Sequence, residues 1–169
     1  MPRHAVSESE ALAATFAEIE AIKQLKYRYF RCLDSKRWAE LADCFAPDAT
    51  SSYDSGKYTF QGRDQIIGFL ERALGPATMI TMHHGHHPEI ELTSPTGATG
   101  TWYLEDLVID AKRNTSLRGA AFYHDVYVKL GVAWKLQSTG YVRTFEEVQD
   151  RSETPSLKLT RTLFETRKD

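Results

Sequence analysis

Residues 79–110 read MITMHHGHHPEIELTSPTGATGTWYLEDLVID, and this stretch decides the fold. Its side chains follow a period of two, which is the repeat of a strand. Ser94-Pro95-Thr96-Gly97 interrupts it with turn-forming residues, so it predicts two long strands, 79–93 and 98–110, joined as a hairpin. The same repeat continues over 119–130 and 133–145, with breaks at Arg113-Asn114-Thr115 and at Gly131. A four-stranded antiparallel meander follows.

Upstream the period changes. Ile19, Ile22, Leu25, Tyr29, Phe30 and Leu33 recur at three and four residues, the apolar stripe of a helix over roughly 9–33 that stops at Asp34-Ser35. Trp38, Leu41, Ala42 and Phe45 mark a second, short helix before Pro47. Residues 48–58 read as strand or loop. Gly62 precedes a third helix carrying Ile66, Ile67, Phe69 and Leu70, closed by Gly75-Pro76. Helices followed by strands make an α+β fold: three N-terminal helices packed on a curved, mainly antiparallel sheet. The organisation expected is a flexible lead-in at 1–8, one domain over 9–150 and a C-terminal tail at 151–169.

The bulk composition excludes several classes. The 169 residues suit one domain, with 41% hydrophobic and 26% charged residues. A net charge of -2 leaves no basic excess for phosphates, so nucleic acid is not an expected partner. No apolar run approaches the roughly 20 residues that span a bilayer, and residues 1–14 lack a signal-peptide core. Two cysteines, Cys32 and Cys44, make neither a disulfide framework nor a metal quartet. A soluble, cytoplasmic protein is expected. No G-x-S-x-G, P-loop or G-x-G-x-x-G is present, which argues against acyl-enzyme chemistry, nucleotide hydrolysis and dinucleotide binding.

Four features carry candidate chemistry: Asp106, the histidine run, the end of the long helix, and the late strands with Arg143 and His124. Asp106 shares a strand face with Trp102, Leu104 and Val108, so it is either paired inside or turned to solvent by a bulge. The run His83-His84-Gly85-His86-His87 invites a metal, but His83 and His84 point to opposite faces of a strand. No metal site is expected; one histidine lining a pocket as a proton acceptor is. Tyr29 lies on the apolar stripe, Asp34 at the helix end and Arg143 late in the last strand, each unremarked if taken alone. His124 shares a face with Phe122 and Val126.

The segments 19–49 (IEAIKQLKYRYFRCLDSKRWAELADCFAPDA), 62–74 (GRDQIIGFLERAL), 83–92 (HHGHHPEIEL), 98–110 (ATGTWYLEDLVID) and 134–146 (WKLQSTGYVRTFE) together resemble SnoaL-like members of the nuclear transport factor 2-like superfamily. The resemblance covers about residues 16–146 and implies a cone-shaped α+β barrel. Within the superfamily, the pattern is similar to bile acid 7-alpha-dehydratases, scytalone dehydratases and hexachlorocyclohexane dehydrochlorinases. It implies His83 as base, Asp34 as its orienting partner, Tyr29 as donor to a substrate oxygen, Asp106 at the leaving group and Arg143 closing the pocket. Tyr53, Tyr58, His84, Trp102, Phe122 and His124 would line it. The function implied is a cofactor-independent carbon–oxygen lyase acting on a small apolar, ringed substrate. Alternatives within the same fold are a ketosteroid-isomerase- or cyclase-type enzyme, the isomerase using Asp106 as base, a structural dioxygenase small subunit and a non-catalytic small-molecule-binding or assembly module. A homodimer or homotrimer is expected, with Leu107, Ile109 and Tyr141 on the outer sheet face as contacts.

Overall fold

A computed structural model of the chain describes residues 7–164. Most of the lead-in expected at 1–8 lies outside the described residues, as does 165–169 of the tail. Ser7 is already an N-cap. Its hydroxyl accepts from the Glu10 amide, and the Glu10 carboxylate accepts from the Ser7 amide at 2.8 Å, a capping box that starts helix α1 (Glu8–Asp34). The buried face of α1 carries Ile22, Leu25, Lys26, Tyr29, Phe30 and Leu33 at the helical repeat. Helix α2 (Trp38–Ala42) is short, and α3 (Arg63–Leu74) buries Ile66 and Leu70. No helix among the described residues is long and apolar enough to cross a membrane.

The sheet has six strands: β1 (Phe45–Tyr53), β2 (Tyr58–Gln61), β3 (Met79–Ser94), β4 (Gly97–Asp110), β5 (Thr115–Leu130) and β6 (Ala133–Asp150). Their order is β2-β1-β6-β5-β4-β3, antiparallel throughout except for β1 beside β6. The sheet is curved and unclosed, and the three helices pack on it as an α+β cone. The expected meander is therefore extended by a β1–β2 hairpin. Residues 48–58 hide this in sequence, because only Ala49, Ser51 and Tyr53 turn inward and two of those three are small. Their pairing partners, such as Thr139 opposite Ser51, lie almost ninety residues away along the chain. Strands β5 and β6 also run longer than the periodicity predicts, β5 starting already at Thr115 and β6 continuing through its charged end to Asp150.

Helix α1 crosses β3 at Gly85. A Cβ built on Gly85 would overlap Cε2 of Phe30 and stand 2.9 Å from its Cζ and 3.2 Å from Cε3 of Trp102. Phe30 is 6% exposed and Trp102 0%, so neither ring has room to retreat. Gly85→Ala is expected to lower stability by about 1–3 kcal/mol through overpacking, read as a shifted urea midpoint. An unchanged midpoint would show that the helix rides free of the strand.

The core contains charge. Lys26 and Asp125 pair at 2.8 Å with both side chains fully buried. Asp125 also accepts from the Thr139 hydroxyl at 2.7 Å and the Tyr127 hydroxyl at 2.7 Å, and Tyr127 accepts from the Trp102 indole at 2.9 Å. The Lys26 ammonium lies over the Tyr123 ring, 3.7 Å from its centroid. Such a network specifies the seating of α1 on the sheet, since a buried charge without its partner is costly.

Candidate active site

A cavity of about 340 Å³ opens between the sheet, the end of α1 and helix α3. That volume falls at the small end of the range for small-molecule sites. One wall is aromatic. Phe69 of α3 stacks on Tyr53 of β1 at a centroid distance of 6.0 Å and lies tilted by 30° against Tyr58 of β2 at 5.3 Å. The opposite wall, from β3, β4 and β6, is polar and carries His83, Asp106 and Arg143.

Asp34 ends α1 and is held by three donors from β3. The Thr81 hydroxyl donates to Oδ1 at 2.7 Å, and the His83 amide donates to Oδ2 at 2.9 Å. His83 Nδ1 lies 2.6 Å from Oδ1. A carboxylate only accepts, so the Nδ1 proton is the donor, and in the neutral ring this tautomer leaves Nε2 as the acceptor nitrogen. Burial alone would push the Asp34 carboxyl up. The His83 ring, its backbone amide and Thr81 outweigh burial and hold it below its ordinary value. The His83 side chain is 9% exposed and lines the cavity.

Asp106 stands directly opposite His83 in the β3–β4 register. It faces inward and is 3% exposed, with no bulge turning it away. Arg143 grips it with two parallel bonds, Nη1 to Oδ1 at 2.6 Å and Nη2 to Oδ2 at 2.8 Å. Burial opposes the guanidinium charge, but Asp106 outweighs it and the Arg143 pKa rises further. Glu146 lies 3.3 Å from Arg143 Nε, and the guanidinium lies over the Tyr141 ring at 4.9 Å.

Tyr29 and Tyr53 line the cavity with buried hydroxyls, which lie beside each other and beside the hydroxyls of Tyr123 and Ser51. Burial raises both phenol pKa values well above the ordinary range, so both remain proton donors across neutral and alkaline pH.

Four expected lining residues lie elsewhere. His84 points outward, since its neighbour His83 points inward. Trp102 is in the core, where its indole is committed to Tyr127. Phe122 and His124 face outward, and Phe122 stacks on Tyr103 at 4.8 Å and 17°. The parity of β5 is the reverse of the one its apolar residues suggest: Tyr123, Asp125 and Tyr127 face in. The inner face is the more polar because it carries the buried network and the pocket. Tyr141, expected outside, lines the cavity together with Tyr123. Arg143 is two residues along the same strand, and a shared face follows from that spacing. Leu107 and Ile109 are outward, in a groove shared with Leu157 and Leu159 of the tail. The tail therefore lies on the sheet of its own chain.

Residues 14–140 match the family described as a SnoaL-like domain. Among solved structures, the chain is similar to a protein provisionally named scytalone dehydratase from Novosphingobium aromaticivorans DSM 12444. The two share 25% identity over 82% of this chain and 91% of that one, with a TM-score of 0.74. It is also similar in fold to a type 2 LinA hexachlorocyclohexane dehydrochlorinase, at 21% identity, 80% and 90% coverage and a TM-score of 0.73. The type 3 LinA from Novosphingobium barchaimii LL02 gives 20% identity, 80% and 92% coverage and a TM-score of 0.72.

Proposed function

The chain belongs to the SnoaL-like domain family, and from that premise we propose that it is a cofactor-independent lyase that eliminates water from a small apolar, ringed substrate of polyketide or steroid type. The observation carrying this reading is the 2.6 Å His83–Asp34 pair on the wall of an open cavity. A binding module has no need of an imidazole held in one tautomer with its other nitrogen free.

His83 Nε2 removes a proton from the carbon beside a carbonyl. Asp34 stabilises the imidazolium that results. Tyr29, with Tyr53 beside it, donates to the developing enolate oxygen. The leaving hydroxyl sits at Asp106. Arg143 already occupies both carboxylate oxygens, so Asp106 is fixed as an acceptor that orients the hydroxyl through a remaining lone pair. The imidazolium of His83 then returns its proton to the departing oxygen, and water leaves. The double clamp also weighs against Asp106 as the base of an isomerase. The aromatic wall of Tyr53, Tyr58 and Phe69 suits a flat ring system. The proposal includes a cytoplasmic homo-oligomer. Its support is two free buried cysteines and an outer stripe of Tyr103, Phe122 and Val142, paired across β4, β5 and β6 and 40%, 40% and 53% exposed.

The test is a panel of polycyclic β-hydroxy ketones, followed by the rise of conjugated-enone absorbance and loss of one water by mass. The matching ketones without the hydroxyl are incubated in deuterium oxide. The expected result is enone from the first set and deuterium at the α-carbon in the second. Tight binding throughout, with neither product nor exchange, would replace the enzyme by a binding module.

A further inference from the structure

The strand that turns His83 into the cavity turns His84 and His86 out of it. These two are separated by one residue, so they share the outer face, and the sequence argument against a metal at adjacent histidines does not reach them. Glu105 faces them from β4, directly opposite His84 in register. The donor atoms of His84, His86 and Glu105 all lie within 4.8 Å of one another, and His86 Nε2 is 3.9 Å from Glu105 Oε2. Ligands around a tetrahedral zinc with bonds of about 2.0–2.1 Å stand roughly 3.3 Å apart. Small rotamer changes close that gap. They are open to both histidines, since His84 is exposed and the His86 side chain is 42% exposed.

We infer that His84, His86 and Glu105 form a divalent transition-metal site on the outer face of the sheet, of the zinc class. Two imidazoles and one carboxylate make a borderline-soft donor set, suited to zinc, nickel or copper and not to calcium or magnesium, which take oxygen ligands. The carboxylate is already oriented. Arg118 Nη2 donates to Glu105 Oε1 at 3.0 Å, which leaves Oε2 on the side of His86 for the ion. Three protein ligands leave a fourth position for water. The backbone supports the arrangement, because β3 and β4 are hydrogen-bonded on both sides of it and the bulge between His86 and Glu89 lies just beyond. The ion bridges the two strands at the level where His83 and Asp106 face each other on the inner side. It therefore clips together the pair of strands that carry the proposed base and the leaving-group carboxylate.

The test uses the full chain without a polyhistidine tag, titrated calorimetrically with zinc sulfate, with cobalt(II) as a coloured substitute. The expected result is one ion per chain, a visible cobalt band of low-symmetry coordination and a melting temperature that rises with zinc concentration. His84→Ala and His86→Ala should each weaken binding at least about tenfold while leaving the zinc-free melting temperature unchanged, as their exposure requires. Glu105→Gln should weaken it as well. His83→Ala and His124→Ala should bind as the unmodified chain does. The inference is overturned by failure to bind one equivalent, by undiminished binding in His84→Ala and His86→Ala, or by binding that His83→Ala abolishes, which would move the ion into the cavity.

Discussion

His83→Ala is expected to reduce turnover of a confirmed substrate by about 10²–10⁴-fold, the usual contribution of a positioned general base, with the fold intact. The second half of that expectation rests on Asp34. Removing the imidazole leaves the Thr81 hydroxyl and the residue-83 amide still donating to its two oxygens, so the end of α1 stays tied to β3. Asp34→Asn separates orientation from charge. The amide can hold the ring, but it offers an N–H where Nδ1 needs an acceptor, which favours the other tautomer and puts the proton on Nε2. A comparable loss of rate at nearly unchanged KM is expected. The pH dependence has a definite sign. The folded Asp34 carboxyl titrates below its ordinary value, so its bonds stabilise the protein fully above about pH 4 and are lost as the pH falls through the lower folded value. Asp34→Asn should therefore flatten the acid limb of the stability curve. Full turnover by His83→Ala, or an acid limb unchanged in Asp34→Asn, would remove the pair from the mechanism.

The parts of this arrangement legible in the sequence are those with a local period. The stripe from Ile22 to Leu33 places α1, and alternation from Trp102 to Val108 turns Asp106 inward. The His–Asp pairing was legible only through resemblance, since Asp34 and His83 are joined across two elements 49 residues apart and no spacing encodes that contact. Where local pattern misled, the cause was a core that is not purely apolar. In β5 the apolar residues Phe122 and Val126 face out, while Tyr123, Asp125 and Tyr127 face in. Strand parity read from hydropathy alone then comes out reversed, and with it the placement of His124. Lys26 shows the same effect on α1, where a lysine sits within the apolar stripe. A lysine flanked by Ile22, Leu25, Tyr29 and Phe30 at helical spacing was the one sequence sign that an acid waited for it inside.

That lysine carries the largest expected effect on stability. Lys26→Met keeps the length and apolar character of the stem and removes the charge, leaving Asp125 as a buried carboxylate without its cation. The cost expected is about 3–5 kcal/mol, measured as the loss of unfolding free energy in urea. Burial lowers the Lys26 pKa, and Asp125 only partly offsets that. The unfolded chain thus binds the proton more tightly than the folded one, so around the lysine range stability rises with pH. The pair is costly to assemble and costlier to break. A double variant separates the two. Lys26→Met with Asp125→Asn leaves one of Thr139 and Tyr127 an amide oxygen to donate to, makes the other hydroxyl the acceptor of the amide N–H, and removes the orphan charge. It should recover part of the loss, with a coupling of about 0.5–3 kcal/mol. If Lys26→Met alone costs less than about 1 kcal/mol, the ammonium is not the partner that Asp125 requires, and Thr139 and Tyr127 hold that carboxylate by themselves. If the double variant is no better than the single, the loss comes from repacking around Tyr123, whose ring the ammonium covers, and the network fixes shape through that contact and not through charge.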